Sequence, residues 1–282
     1  MTLTLRLCRV VSGMLGLALT ACGGPTGAAP PEIDPEWVTV AASYPRYLHT
    51  QRRLNLETTN HLTTDLLVSG HVLRAEHFTD VPVERDGLSR VWAGARVDIQ
   101  SDFGEVASCE EVGPLRAWVE YEYTTAADPT PRTAVIAVDP APLDEIRDRE
   151  CGQRVVREAV DIRFRDPTRT KATIDVVIAV DRLAGGEPVT VHSMLGSVIF
   201  AMFGPDEPLL HLDEGDPGGV IPVEFRVSRC DPHVVSQSSK TYEFTVWVGV
   251  GNRPLQATPI DVDPALRVML DDLLATCMAG EG

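Results

Sequence analysis

Lysine is almost missing from this 282-residue chain: of 25 basic residues only Lys171 and Lys240 are lysines, a bias that fits a high-GC genome and carries no mechanism. Positive charge is scarce altogether. Against 41 acidic residues the formal net charge is −16, and such a surface repels phosphate backbones, which argues against nucleic acid as a partner. Beyond the N-terminus there is no apolar run long enough to cross a hydrocarbon core of roughly 30 Å as a helix. The common signatures of catalysis are also missing: no Gly-x-Ser-x-Gly elbow, no His-Glu-x-x-His, no Walker-type phosphate loop and no dinucleotide-binding glycine fingerprint. There is no Cys-x-x-Cys pair to point to zinc or thiol exchange. The expectation is a non-enzymatic protein without a cofactor, although distant residues can still assemble a site in space.

What is present begins with an address. Arg6 and Arg9 precede an apolar stretch from Val10 to Leu19, and Leu19-Thr20-Ala21-Cys22 follows, giving the basic, apolar and small-residue regions of a signal peptide in order. At about ten residues the apolar part is too short for a permanent span. Residues 1–21 therefore read as a lipoprotein signal peptide, and Cys22 as the residue whose thiol takes the lipid. Cys8 falls in the removed segment. The run Gly23-Gly24-Pro25-Thr26-Gly27-Ala28-Ala29-Pro30-Pro31 reads as part of a tether over 22–44. Each buried methylene of the lipid adds roughly 0.8 kcal/mol, so the expected location is the cell membrane, lipid-anchored on its extracytoplasmic face. Without Arg6 and Arg9 the balance becomes 23 basic against 41 acidic residues, a net charge of −18.

Four cysteines remain: Cys109, Cys151, Cys230 and Cys277. An even count on an exported chain favours two disulfides, with three connectivities open. An internal repeat chooses among them. Val97-Asp98-Ile99-Gln100 before Cys109 lies over Ile221-Pro222-Val223-Glu224-Phe225 before Cys230. Trp118–Tyr123 lies over Tyr242–Val248, and Val138-Asp139-Pro140 over Val262-Asp263-Pro264. The offsets are 124 residues from Val97 to Ile221, 121 for the first cysteines, 124 for the Asp-Pro pairs and 126 for the last cysteines. Two tandem copies over 45–151 and 155–277 follow, each closed by its own bond, Cys109 to Cys151 and Cys230 to Cys277.

Within the copies the period is two. Val160, Ile162 and Phe164 alternate with Asp161, Arg163 and Arg165, and Ile221, Val223, Phe225 and Val227 alternate with polar or proline positions, as half-buried antiparallel strands do. Ile174–Val180 is nearly continuous in apolar residues and so lies deeper. Val155–Arg165 reads as a strand bridging the copies. Asp139-Pro140 and Asp263-Pro264 each place a capping carboxylate before a proline at the first helical position, and Leu266, Leu270, Leu273, Leu274 and Cys277 fall on one helical face. The fold class is mainly β: two tandem β-sandwich domains, each with a short C-terminal helix and one disulfide.

The plan of strand, polar turn and strand in Leu54–Val72 and Ile174–Leu195 resembles immunoglobulin-like modules in general. Trp118 and Trp247 depart from the buried tryptophan of antibody-type domains, because they fall on the polar phase of their strands; burial at an interdomain contact is expected of them. Arg229-Cys230-Asp231-Pro232-His233, within a two-copy lipoprotein, is similar to a group of uncharacterised actinobacterial lipoproteins, a resemblance that implies address and lineage and brings no activity.

Three clusters bear on chemistry. Asp213-Glu214-Gly215-Asp216 offers hard oxygens, yet its spacing matches no complete calcium loop and it reads as a solvated turn. His192-Ser193-Met194 places an imidazole and a thioether on one face at strand spacing, with Met202 and His211 downstream, a donor set suited to copper(I); methionine among Leu195, Val198, Ile199, Phe200 and Phe203 more often fills a core. His61, His71 and His77 are scattered. His233 follows Cys230, which a disulfide removes as a nucleophile. The leading expectation is a binding or structural module of the cell envelope, whose partner is another envelope protein or polymer. Metal handling through His192 and Met194 is the alternative.

Overall fold

The computed structural model describes residues 37–280 apart from 86, 111–113 and 239. The expected signal peptide, Cys22 and residues 23–36 of the expected tether lie outside them. Val38–Ser43, also expected in the tether, are strand instead. Val38 and Val40 alternate inward and are buried, so Val38–Ser43 form a strand, β1, paired antiparallel with β2 (Arg53–Asn60) from Val38↔Asn60 to Ser43↔Asn55. A 3₁₀ turn at Arg46–Gln51 joins them.

The chain continues through β3 (Leu66–Ala75), β4 (Ser89–Val91), β5 (Arg96–Asp102), β6 (Ala117–Thr125), β7 (Asp128–Val138) and helix α1 (Ala141–Ala159). The second half runs β8 (Val160–Arg169), β9 (Ile174–Arg182), β10 (Val189–Leu195), β11 (Phe200–Phe203), β12 (Leu210–Leu212), β13 (Gly218–Val227), α2 (Pro232–Gln237), β14 (Phe244–Val250), β15 (Gln256–Ile260) and α3 (Pro264–Met278). All paired strands are antiparallel.

The sheets show the duplication directly. The first half has strand orders β1-β2-β5 and β4-β3-β6-β7; the second has β8-β9-β13-β11 and β12-β10-β14-β15. Matching strands in chain order superimposes the two patterns, with β11 and α2 as the additions. Even β11 has a trace in the first half, the single bridge Phe78↔Val106, against four paired residues from Phe200↔Val227 to Phe203↔Glu224 in the second. Each half is a sandwich because its two sheets bury their inner faces in one core. Leu54, Leu56 and Ile99 meet Leu66, Val119, Tyr121 and Ile136 in the first; Ile174, Ile178 and Phe225 meet Val189, Val191, Phe244 and Val248 in the second.

The staples fall as the repeat predicts. Cys109 pairs with Cys151 at a Cα separation of 5.5 Å, and Cys230 with Cys277 at 5.7 Å, both ordinary for a disulfide. Each ties a helix to the segment that follows a sheet strand. Asp263 caps α3 by accepting from the Leu266 N–H at 2.8 Å. The Asp139 carboxylate accepts from the Ala141 N–H at 3.0 Å, one residue before the helical turn it serves.

Between the copies the structure departs from expectation. No break occurs at 152–154, which falls inside α1, and 155–159 form the last turn of that helix, so the bridging strand starts only at Val160. Leu143 and Ile146 near the start of α1 sit in the first core, whereas Val156 near its end sits in the second. Gly152 passes so close to β15 that a Cβ there would meet the Gln256 side chain at 2.1 Å. Next to it the Gln153 amide donates to the Ala257 carbonyl at 2.8 Å, satisfying an acceptor on a strand that ends its sheet. One helix is thus rooted in both interiors, and the described residues group as one compact unit.

Candidate functional site

A cleft of about 560 Å³ lies on the outer face of the second sandwich, over the sheet β8-β9-β13-β11. Four elements build it. From β9 come Asp175 and Val177, and from β13 Pro222 and Glu224, the outward phase of strands whose Val176, Ile178, Ile221 and Val223 point into the core. β11 contributes Phe203, 49% exposed, and the chain then continues through Gly204 and Pro205. The fourth wall is a β-bulge in β8, where pairing shifts between Arg165 and Thr168 and Asp166 takes φ +54°. Bulges re-aim side chains at such rims.

β11 decides the shape. It pairs only with Glu224–Val227, so beyond Phe203 the neighbouring stretch of β13 has no partner on that side. Proline cannot donate to a ladder and suits such a stretch, and Pro222 stands there. A Cβ on Gly204 would lie 2.5 Å from Met194 Cε and 3.1 Å from the Pro222 carbonyl, so a larger residue there would displace the Met194 side chain and crowd β13.

The cleft combines an apolar floor with an acidic rim. Val177, Phe203, Pro205 and Pro222 line it, and Val220, 61% exposed, continues the outer face of β13. Asp175 and Glu224 are direct partners across the β9–β13 ladder, a like-charge juxtaposition that works against the sheet. Arg226 offsets it: its Nε donates to Glu224 Oε1 at 2.5 Å while its guanidinium lies 4.9 Å over the Phe203 ring, a cation–π arrangement.

In the first sandwich, beside Asp98, Ile99 and Gln100 of β5, the stretch that matches Pro222–Glu224 of β13, a cleft of about 400 Å³ has polar walls, completed by Arg53, His71, Glu84 and the segment that leads into β4. Glu84, with its side chain 11% exposed, reaches across it. Its carboxylate pairs with Arg53, accepts from the Asp102 N–H at 2.7 Å, and lies 3.7 Å from His71 Nε2. His71 Nε2 also stands 3.0 Å from the Gln100 carbonyl. In this copy the position is cross-braced by charge.

The other residues singled out from sequence are dispersed. His192 and Met194 do not share a face. Pairing with β14 shifts between Val191 and Ser193, so His192 is the extra residue of a bulge and stands exposed, while Met194, opposite Val246, packs against the core. Strict alternation predicts otherwise, and the bulge breaks it. Met202 also packs on the core. His211 hydrogen-bonds the Thr190 hydroxyl at 2.8 Å, and His61 lies 3.0 Å from the Thr39 hydroxyl. His77 has φ +66°, and its carbonyl accepts from the Ala107 N–H at 2.7 Å. His233 is exposed in α2, where Asp231 accepts its N–H at 2.8 Å. Asp213–Asp216 forms a turn with Gly215 at φ +89° and the Asp216 carboxylate accepting from the Asp213 N–H. Arg182 plugs that turn: its guanidinium donates to the Asp213, Asp216 and Glu187 carbonyls at 2.8–2.9 Å. Among the described residues no three His, Cys, Asp or Glu side chains group as metal ligands. Trp118 and Trp247 are half-buried rather than sealed at a contact, and the Trp118 indole donates to Glu120 at 3.3 Å.

Sequence reading missed the cleft because its walls lie as far apart as Asp166 and Glu224. The one available signal was the repeat, since the apolar run Val198–Phe203 has only Phe78 at its counterpart.

No family model matches the chain, and no curated protein matches it. Among solved structures it is similar to a protein of unknown function from Porphyromonas gingivalis W83, at 12% identity over 79% of this chain and 96% of that chain, with a TM-score of 0.20. A likeness of that degree says nothing of fold or function.

Proposed function

We propose that the protein is exported, anchored through a lipid on Cys22 to the extracytoplasmic face of the cell membrane, and acts without catalysis as a binding module of the envelope. The partner, another envelope protein or polymer, docks in the cleft over β8, β9, β13 and β11. The observation that carries this reading is the difference between the copies: one strand plan, with the β5 stretch braced by ions in the first and the matching β13 stretch open, apolar and aromatic in the second. A cleft of this size with an apolar floor and a few convergent polar groups is the usual form of a binding site. The signal-like N-terminus and two disulfides in an acidic chain support the address. For copper handling through His192 and Met194 the donor pair lacks support, because the bulge leaves His192 exposed while Met194 packs against the core.

Two measurements test the reading. Mass spectrometry of the protein from membranes should find a diacylglyceryl group on Cys22, and Cys22→Ala should release the chain from the membrane fraction; a membrane-bound Cys22→Ala variant overturns the anchor. Envelope extracts passed over the chain from residue 23 should yield a reproducible partner that is lost with Phe203→Ala and Val220→Glu. Retention of the same partner by both variants places binding elsewhere.

A further inference from the structure

A second cleft, about 340 Å³, lies where the segment after β5 faces α1 and is lined by Arg52, Glu105, Val106, Glu150, Gln153, Arg154 and Arg157. The four helical residues stand at i, i+3, i+4 and i+7, one stripe of α1. Three guanidinium groups therefore converge here on a chain that is otherwise strongly acidic.

Two of them are held in place. Arg52, at φ +53°, donates to Glu150 at 2.6 Å and to the Gly104 carbonyl at 2.9 Å, with its guanidinium 4.9 Å over Phe103. Its buried Nε has no hydrogen-bond partner among the described residues. Arg154 donates to the Val106 carbonyl at 2.7 Å. A neutral carbonyl fixes the direction of that guanidinium and leaves its charge uncompensated. Arg157 is exposed and also borders an adjoining cleft that carries Asp161 and Asp261. Of the two carboxylates in the Arg52 cleft, Glu150 is engaged by Arg52, and Glu105 is exposed at the rim.

We infer that this cleft binds a small oxyanion, a phosphate or carboxylate group, between Arg154 and Arg157, with Arg52 bracing the wall and Glu105 competing for the same guanidiniums. Arginine suits the role because its planar fork matches the oxygens of such groups. Gln153, tied to Ala257 of β15, places the site on the helix that joins the two sandwiches. An anion bound here would therefore also report on their junction.

The test is calorimetric titration of the chain from residue 23 with inorganic phosphate, with parallel sedimentation against phosphatidylcholine vesicles with and without phosphatidylglycerol. Saturable binding should weaken about tenfold in Arg157→Gln, the loss of one charge-assisted contact, and strengthen in Glu105→Gln. Thermal unfolding of both variants without anion should match the unaltered protein. Phosphate binding assigns a soluble anion; binding confined to phosphatidylglycerol vesicles and lost in Arg157→Gln assigns a headgroup. The inference is overturned if neither probe binds, or if binding is the same in Arg157→Gln and Glu105→Gln.

Discussion

Tyr121 in the first sandwich is fully buried and shares a 2.6 Å hydrogen bond with the Thr58 hydroxyl, while Asn60, equally buried, donates to the carbonyls of Thr64 and Val91 and accepts from the Leu62 N–H. Phenylalanines hold the matching interior of the second: Phe164, Phe225 and Phe244 stand edge to face with centroids 4.8–5.8 Å apart, and Phe200 closes the group. Strand order and staples are common to both; interior chemistry and the outer cleft are not. The comparison teaches that the plan depends on where apolar residues alternate and where the ladders pair. What fills the core, and whether the place beside β5 or β13 stays open, can change without disturbing it.

Phe244→Ala puts the greatest pressure on this contrast, because it removes the ring that touches the other three. It should cost about 3–5 kcal/mol in urea unfolding. Removing Cys109 and Cys151 together, or Cys230 and Cys277 together, should each cost about 4 kcal/mol on the chain-entropy estimate, since the sequence separations of 42 and 47 residues are nearly equal. The pairs differ in reach, however. Losing the first frees α1, so hydrogen exchange should quicken in β15 as well; unchanged protection there would break the link drawn between the copies. Tyr121→Phe sharpens the comparison at smaller scale, at about 1 kcal/mol for one lost hydrogen bond. A cost equal to that of Phe244→Ala would mean the two interiors are less different than their contacts suggest.

The smallest expected effect is of acid. Hydrogen bonds from Arg90, Arg116 and Arg85 hold the Asp65, Glu76 and Glu122 carboxyls below their ordinary values, and the Thr130 N–H does so for Asp128. All four lie in the first sandwich. Carboxyls lowered by folding contribute stability above their unfolded values, and that contribution is lost as pH falls through the folded ones. The first sandwich should therefore soften first below about pH 4, by a modest amount because these pairs are exposed. Tyr242 works in the other direction: burial first, then its bond to Asp271, pushes its phenol up to about 12. Its contribution is complete below pH 10 and lost as pH rises toward 12. Burial raises the Tyr121 phenol of the first sandwich as well, so amide exchange resolved by sandwich should show the first softening ahead of the second at pH 3.5 and both softening at pH 11.

Much of the architecture was legible because it rests on spacing. The staples, the strands Ile174–Val180 and Ile221–Val227, and the buried stripe Leu266, Leu270, Leu273 and Leu274 all follow from periodicity and from the repeat. His192 misled because a bulge inserts one residue that alternation does not count. The full length of α1 was hidden because its buried residues Leu143, Ile146 and Val156 serve two interiors and so never form one dense apolar face. The cleft needed β8, β9, β11 and β13 to be brought together, and no local pattern encodes that meeting.

The helix rooted at both ends has a bearing on ancestry. A duplicated domain ordinarily remains an exchangeable part that can be lost, shuffled or fused elsewhere. Here a cut at 152–154 would part Leu143 and Ile146, rooted in the first interior, from Val156, rooted in the second, and would leave the end of β15 without Gln153, so each sandwich alone would lose part of the helix that anchors it.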